Sequence, residues 1–148
     1  MHVRTLLPRE LPALLALYEH LHEGLEQTAT PEEASPAWNE ATSNPRCRYF
    51  GGYDNESLIA SCTIMVIPNL TRGCKPYGVI ENVVTHREHR SRGWGKAVLK
   101  AALEFAWSSG CYKVMLMTVS KDEAVFKFYE GAGFSRHGKQ PFIVRSEV

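Results

Sequence analysis

From Val79 onward the chain reads as an apolar strand, VIENVVT, then a basic glycine turn, HREHRSRGWGK, then a helix and a second apolar strand, YKVMLMTV. Trp94, Ala97, Val98, Ala101, Ala102 and Phe105 recur at helical spacing and form one broad apolar face. Gly110 stops that helix, as a C-terminal glycine does. Two such strands joined by a helix are expected to lie parallel in one sheet, with a right-handed crossover. This β-α-β unit commits the chain to a mixed α/β architecture. It also puts the basic glycine turn at the exit of a strand and the entrance of a helix.

The rest of the sequence supplies a sheet and helices around that unit. Met1–Leu7 reads as a first strand. Pro8 suits a helix entry, and Leu11, Leu14, Leu15, Tyr18, Leu21 and Leu25 follow at helical spacing. The segment from Gln27 to Pro45 is polar, holds Pro31, Pro36 and Pro45, and reads as a loop with a short helix around Trp38. Arg46–Tyr53 and Ser57–Ile67 read as strands joined by a turn at Asp54-Asn55-Glu56. Tyr112–Val119 is expected to be a buried strand. Asp122 is expected to cap a last helix, to about Ala132, with Gly131 and Gly133 as stop signals. Phe134–Arg136 and Phe142–Val144 read as closing strands around a Gly138 turn. The sum is one domain over residues 1–148.

Composition narrows the function classes. The 148 residues are 44% hydrophobic and 22% charged, an ordinary globular mix. A net charge of +1 argues against a nucleic-acid binder, for which a clearly basic domain is expected. No apolar run approaches the ~20 residues of a membrane span, and MHVRTLLPREL lacks the pattern of a secretory signal. Cys47, Cys62, Cys74 and Cys111 are widely spaced, so reduced thiols in a cytoplasmic protein are expected rather than disulfides or zinc ligands. His86 and His89 form an H-x-x-H pair with no further ligand marked, and read as loop histidines.

The glycine turn suits a phosphate. A helix entered directly from a strand exposes unpaired amides and about half a positive charge at its N-terminus. Glycine lets an anion approach that backbone, and Arg90, Arg92 and Lys96 add charge. A nucleotide-hydrolysing loop, G-x-x-x-x-G-K-[ST], fails twice, because Arg90 stands at its first glycine and Ala97 at its Ser/Thr. The dinucleotide fingerprint fails too: Val98 takes the third glycine, and VMLMTV ends without the required acid. From spacing alone, a pyrophosphate cradle and a plain solvated helix start weigh equally.

Arg90-Ser91-Arg92-Gly93-Trp94-Gly95 resembles the R/Q-x-x-G-x-G/A signature of the GCN5-related N-acetyltransferases (GNAT). VIENVVTHREHR before it, YKVMLMTV after the helix, and EAVFKFYEGAGF, similar to that family's closing FYEKLGF pattern, match in the same order. The strand IENVVT is similar to the glucosamine-6-phosphate acetyltransferase branch and related bacterial members. The resemblance implies a six- to seven-stranded mixed sheet with about four helices, whose two central parallel strands splay apart to admit acetyl-coenzyme A. It further implies that the backbone of Val83 and Val84 holds the pantetheine arm. Amides from Ser91 to Lys96, within the basic turn Arg90, Ser91, Arg92, Gly93, Trp94, Gly95 and Lys96, would hold the pyrophosphate. One position departs from the pattern: Asp122 stands seven residues before the family's tyrosine, where an asparagine is usual. A carboxylate caps a helix but donates no amide hydrogen bond.

The implied reaction moves an acetyl group from a thioester to an amine. An alkyl amine with pKa near 10.4 is only about one part in 2,500 neutral at pH 7, so a base, direct or through water, would help. Glu81, an acid inside an apolar strand, is the candidate; a solvated edge glutamate is the alternative. Simple alternation puts Glu81 on one face with Val83 and Thr85, with Asn82 opposite, unless a bulge changes the phase. Tyr129 occupies the family's position for a phenol that protonates the departing thiolate; by spacing alone it reads as a packed core tyrosine. Arg72 and Lys75 read as solvated or as partners of an anionic acceptor. The expected function is acetyl transfer to a primary amine of a small molecule by direct attack. The alternative is a non-catalytic module that binds acyl-coenzyme A and senses or scaffolds. A homodimer is common in the family, and no sequence stripe demonstrates one.

Overall fold

A computed structural model of the chain describes residues 1–21 and 27–147. Leu25 of the first helical pattern lies outside the described residues. In order, the elements are β1 (His2–Thr5), a 3-10 turn (Pro8–Glu10), α1 (Leu11–Tyr18), α2 (Pro31–Ser43), β2 (Cys47–Asp54) and β3 (Ser57–Ile67). They continue with β4 (Tyr77–Thr85), a second 3-10 turn (Arg87–His89), α3 (Trp94–Ser108), β5 (Val114–Leu116) and α4 (Glu123–Glu130). The chain divides into two compact units, Met1–Leu116 and Met117–Val148.

The N-terminal unit carries a five-stranded sheet in the order β1-β2-β3-β4-β5. Neighbours are antiparallel from β1 to β4, and β4 and β5 are parallel, as the crossover through α3 requires. Each face of the sheet holds its own helices. A Cβ added to Gly52 would meet Trp94 and Val98 of α3, whereas one on the adjacent Gly51 would meet Leu6 and Leu58. The Cys62 thiol donates to the Val98 carbonyl at 3.4 Å, on the α3 face. Val98, Leu99, Ala102 and Ala106 are fully buried, and full burial of a Val or Leu side chain contributes about 1.5–3 kcal/mol. On the opposite face Leu6, Leu11, Leu14, Leu15 and Trp38 form a second cluster, with Tyr18, Tyr49 and Leu58 packed against it.

α2 is a longer helix than the short turn expected around Trp38. Its start is a capping box: the Glu33 amide donates to Thr30 Oγ1 (3.2 Å), and the Thr30 amide donates to Glu33 Oε2 (2.8 Å). Pro31 then occupies the first helical position, where a missing N–H costs nothing. Trp38 anchors the helix, its indole N–H donating to the Pro8 carbonyl at 2.8 Å.

Two further expectations need correction. The second parallel strand covers Val114–Leu116, not Tyr112–Val119, and its residues are half-buried; Val119 is 76% exposed. Among the described residues the sheet has five strands rather than six or seven. Phe134–Arg136 is not a strand: its start closes α4, with the Phe134 amide donating to the Tyr129 carbonyl at 3.1 Å. Arg136 is tied back to α4 by hydrogen bonds to Glu123 and Glu130. Phe142–Val144 forms no strand among the described residues, and Phe142 and Val144 are 91% and 96% exposed.

Candidate active site

The parallel pair β4–β5 is registered at Gly78–Val114, Val79–Met115 and Ile80–Leu116, and goes no further. From Glu81 to Thr85, β4 runs on with its β5-side edge unpaired among the described residues. The N–H and C=O groups of an open edge can take an extended amide-bearing ligand. Within this unit the ladder between the two parallel strands stops where β5 ends, at Leu116.

β4 is itself irregular just beyond this point. Thr63 pairs with Glu81 and Ser61 with Val84, so two steps on β3 face three on β4. Asn82 takes up the extra residue in the left-handed region, at φ 52°. This is a β-bulge, and it bends the strand and interrupts its alternation. Paired residues share a face, so Glu81 and Val84 lie on the face of Thr63 and Ser61, on the α1 side. The alternation expected for Glu81, Val83 and Thr85 is broken there. Glu81 and Asn82 are exposed, Val83 half-buried and Val84 buried.

β4 leads into the glycine turn. Ser91 and Gly93 both hold left-handed backbone, at φ 61° and 86°. Gly93 caps α3 without a side-chain bond. The space where its Cβ would stand is open, with only Met1 Cε at 4.0 Å. The first backbone bond across the cap runs from the Ala97 amide to the Gly93 carbonyl (3.0 Å), so the Trp94, Gly95 and Lys96 amides precede helical bonding. Ser91, Arg92, Gly93 and Lys96 are exposed around them. These features fit a doubly charged phosphate ligand. Trp94 contributes differently: its indole is buried against β2, where Gly52 leaves room for it, so it seats the helix start.

Arg90 is also structurally engaged. Its Nη2 donates to the His20 carbonyl at 3.0 Å and its Nε to the Thr85 carbonyl at 3.4 Å, linking the end of α1 to the end of β4. The His86 ring lies tilted against His20 with centroids 4.1 Å apart and meets His89 edge-on at 5.4 Å. Burial and the neighbouring His86, Arg87 and Arg90 charges lower the His20 pKa. Among the described residues no group of three metal-ligating side chains converges. Arg72 and Lys75 lie in the β3–β4 connection, before the start of β4, and the Arg72 guanidinium sits 5.8 Å over the Tyr112 ring. Lys75 lies six positions before Glu81, at most roughly 20 Å along an extended chain.

Sequence reasoning missed the hydroxyls beneath the bulge. Tyr18 Oη and Thr63 Oγ1 are buried and make no hydrogen bond among the described residues. Burial drives the Tyr18 phenol above its ordinary pKa. Burial likewise raises the Tyr49 phenol. The only sequence signal was Ser61 and Thr63 inside the otherwise apolar SLIASCTIMVI.

The C-terminal unit holds the other candidates. Asp122 Oδ1 accepts from the Ala124 amide at 2.9 Å and caps α4. Tyr129 is half-buried, its ring against Phe128 and Phe134 at 4.9 and 6.3 Å. Arg136 grips both Glu130 (Nε to Oε1, 2.7 Å) and Glu123 (Nη2 to Oε1, 2.6 Å), which lowers the pKa of each carboxylate.

Known proteins share this sequence and fold. The model of the acetyltransferase (GNAT) family matches residues 11–134. A glucosamine 6-phosphate N-acetyltransferase of Trypanosoma brucei brucei is 32% identical over 144 residues, 95% of this chain and 92% of that one. A solved protein from Agrobacterium tumefaciens str. C58, provisionally described as an acetyltransferase, is 38% identical and superposes with a TM-score of 0.93, covering 99% and 100% of the two chains. The glucosamine-6-phosphate N-acetyltransferase structure from Arabidopsis thaliana shares the fold, with 23% identity, a TM-score of 0.83 and 98% of each chain covered. No helix among the described residues is long and apolar enough to cross a membrane.

Proposed function

Because the chain belongs to the acetyltransferase (GNAT) family, and is an N-acetyltransferase using acetyl-coenzyme A, we propose that it acetylates the primary amine of a small molecule by direct attack. The observation that carries this reading is the end of β4–β5 pairing at Ile80, followed on the same strand by the bulge and the glycine turn. An open edge for the amide-bearing arm and free amides for the pyrophosphate thus follow one another along the chain. In this reading Val83 and Val84 bind the arm, the amides from Ser91 to Lys96 take the pyrophosphate, and Arg92 and Lys96 add charge.

Glu81 takes the proton of the acceptor ammonium, directly or through a water. The amine nitrogen forms its bond to the thioester carbonyl carbon, and a backbone N–H of Val83 or Val84 steadies the oxygen. The carbon–sulfur bond breaks, Tyr129 protonates the departing thiolate, and the second proton lost by the nitrogen as the amide forms passes through solvent to restore the Tyr129 phenol. The match of FYEGAGF to the family pattern supports that last role.

We take an amino sugar phosphate as the acceptor class, supported by the 32% identity to the trypanosomal glucosamine 6-phosphate enzyme across nearly the whole of both chains. Arg72 and Lys75 are not assigned to its phosphate, since both lie in the β3–β4 connection before β4 begins at Tyr77. The reading treats the chain as one cytoplasmic acetyltransferase domain, supported by four free thiols and a family match that runs through both units. It also makes the protein a homodimer, supported by the exposed apolar run Phe142–Val144; light scattering at the elution peak measures the mass. The functional test is release of coenzyme A thiol on incubation with glucosamine 6-phosphate, a polyamine and an amino acid. Release with the amino sugar, and an N-acetyl product, support the proposal. Coenzyme A binding with no release on any amine supports a sensing module instead.

A further inference from the structure

Arg136 reaches back from beyond α4 to both ends of that helix. Its Nε and Nη2 donate to Glu130 Oε1 and Oε2 at 2.7 and 3.0 Å, and its Nη1 and Nη2 donate to Glu123 Oε2 and Oε1 at 3.1 and 2.6 Å. Glu123 opens α4 and Glu130 ends it. They stand two helical turns apart, so both carboxylates lie on one face. Between them the guanidinium covers the Phe126 ring, 5.0 Å from its centroid. Only a planar guanidinium fork can serve two carboxylates in this paired way; an ammonium is a point charge. A lone exposed ion pair contributes little to stability, but a bidentate network fixes geometry. What this network fixes is the return of the chain after α4.

That return passes over Tyr129. The chain turns at Gly133, which holds left-handed backbone at φ 98°. The Ala132 and Phe134 amides both donate to the Tyr129 carbonyl, at 3.0 and 3.1 Å. The Phe134 ring meets the Tyr129 ring edge-on at 6.3 Å, and Phe128 meets it at 4.9 Å. Phe134 thus holds Tyr129 at both its carbonyl and its ring, and it stands two residues before the anchored Arg136. α4 has only eight residues, too few to hold its last turn by helical hydrogen bonding alone. We propose that Arg136 is a positioning residue for Tyr129: by tying both ends of α4 to the returning chain, it keeps Phe134 against Tyr129 and fixes the direction of the phenol. This rests on the reading that Tyr129 protonates the departing thiolate. In this role Arg136 binds neither substrate and transfers no proton.

The test is Arg136→Gln, with Arg136→Lys as the variant that keeps the charge and loses the fork. Loosening of Phe134 lowers kcat about tenfold, the scale expected when a catalytic group is misaimed by a fraction of an ångström. The KM for acetyl-coenzyme A stays within about twofold, because the glycine turn belongs to the other compact unit. Arg136→Lys falls between wild type and Arg136→Gln. In a Tyr129→Phe background, Arg136→Gln changes kcat by less than about twofold, because the group it positions is already gone. A merely structural role lowers both backgrounds by the same factor. Amide hydrogen exchange provides a reading without turnover: Ala132 and Phe134 exchange faster in Arg136→Gln, while Ala97 at the start of α3 does not. Wild-type kcat in Arg136→Gln, an equal proportional loss in the two backgrounds, or unchanged exchange at Phe134 overturns the proposal. If the wild-type protein acetylates no amine, or Tyr129→Phe is fully active, the functional reading fails, and exchange at Phe134 alone decides whether Arg136 holds this segment.

Discussion

Glu81 stands directly across the β3–β4 ladder from Thr63, one residue before Asn82 turns left-handed. A carboxylate at the last regular position of β4, where the β5 partner has just been lost, sits beside the open edge rather than on a plain sheet surface. Glu81→Gln keeps the shape and removes the basic oxygen. The rate falls, and falls most below the acceptor's pKa, where nearly every amine carries a proton to be removed. The check is log kcat/KM against pH for both proteins. Curves that stay parallel through neutral pH exclude Glu81 as the base.

Gly93 caps α3 at φ 86° with open space at its Cβ position. Gly93→Asp strains the cap and puts a carboxylate where the pyrophosphate is proposed to lie. The KM for acetyl-coenzyme A rises at least about tenfold, the equivalent of 1.4 kcal/mol. Gly93→Ala carries the strain without the charge, so comparing the two variants isolates the electrostatic part. Equal KM in wild type and Gly93→Asp removes the cradle.

The β-α-β core and the glycine turn were legible because each rests on a local rule: a 3.6-residue period, a stop glycine, amides at a helix start. β3 was read to its residue, Ser57–Ile67. The face of Glu81 was not legible, because a bulge is set by how two strands pair and leaves no mark in one strand's alternation. α2 was underestimated by weighing Pro31 and Pro36 as breakers, although Thr30-Pro31-Glu32-Glu33 spells a capping box with proline at its permitted position. Phe142–Val144 has the composition of a strand, but a strand also needs a partner, and composition does not supply one. Tyr18 read as one more apolar position of α1; its buried hydroxyl left no mark in the pattern.

Gly52 tests how the cradle is seated. A Cβ there would stand 3.1 Å from Trp94 Cε3 and 3.4 Å from Val98 Cγ1. Trp94 is the first residue of α3, so a pushed indole carries the helix start with it. Gly52→Ala destabilises the protein by about 1–3 kcal/mol and raises the KM for acetyl-coenzyme A, although it touches no ligand. Denaturant midpoints and cofactor titration measure the two effects. A stability loss with unchanged KM means that the indole does not register the cradle.

Tyr129→Phe keeps the ring packing with Phe128 and Phe134 and removes the proton donor. A general acid contributes at least about a hundredfold, and a thiolate of pKa about 8.5 is a good leaving group that places the loss at the low end. kcat therefore falls about a hundredfold near pH 7 while cofactor affinity stays. Full activity in the variant removes Tyr129 as the acid.

Acid stability should report on the Arg4–Glu10 pair. Arg4 donates to both Glu10 oxygens at 2.8 Å, and the Leu7 amide bonds the same carboxylate. The Arg4 hydrogen bonds, with help from Leu7, hold Glu10 at a pKa of about 2, below the ordinary 4.5. A depressed carboxylate stabilises the fold above its unfolded pKa, and that contribution disappears as pH falls through the folded value. The pair's contribution is thus complete above pH 4.5 and is lost on the way to about pH 2. Because Arg4 is partly exposed, solvent screening limits it to about 1 kcal/mol. Glu10→Gln should lower Tm at pH 6 and converge on wild type near pH 2. A Tm difference independent of pH would assign the stabilisation to packing of the first turn rather than to charge.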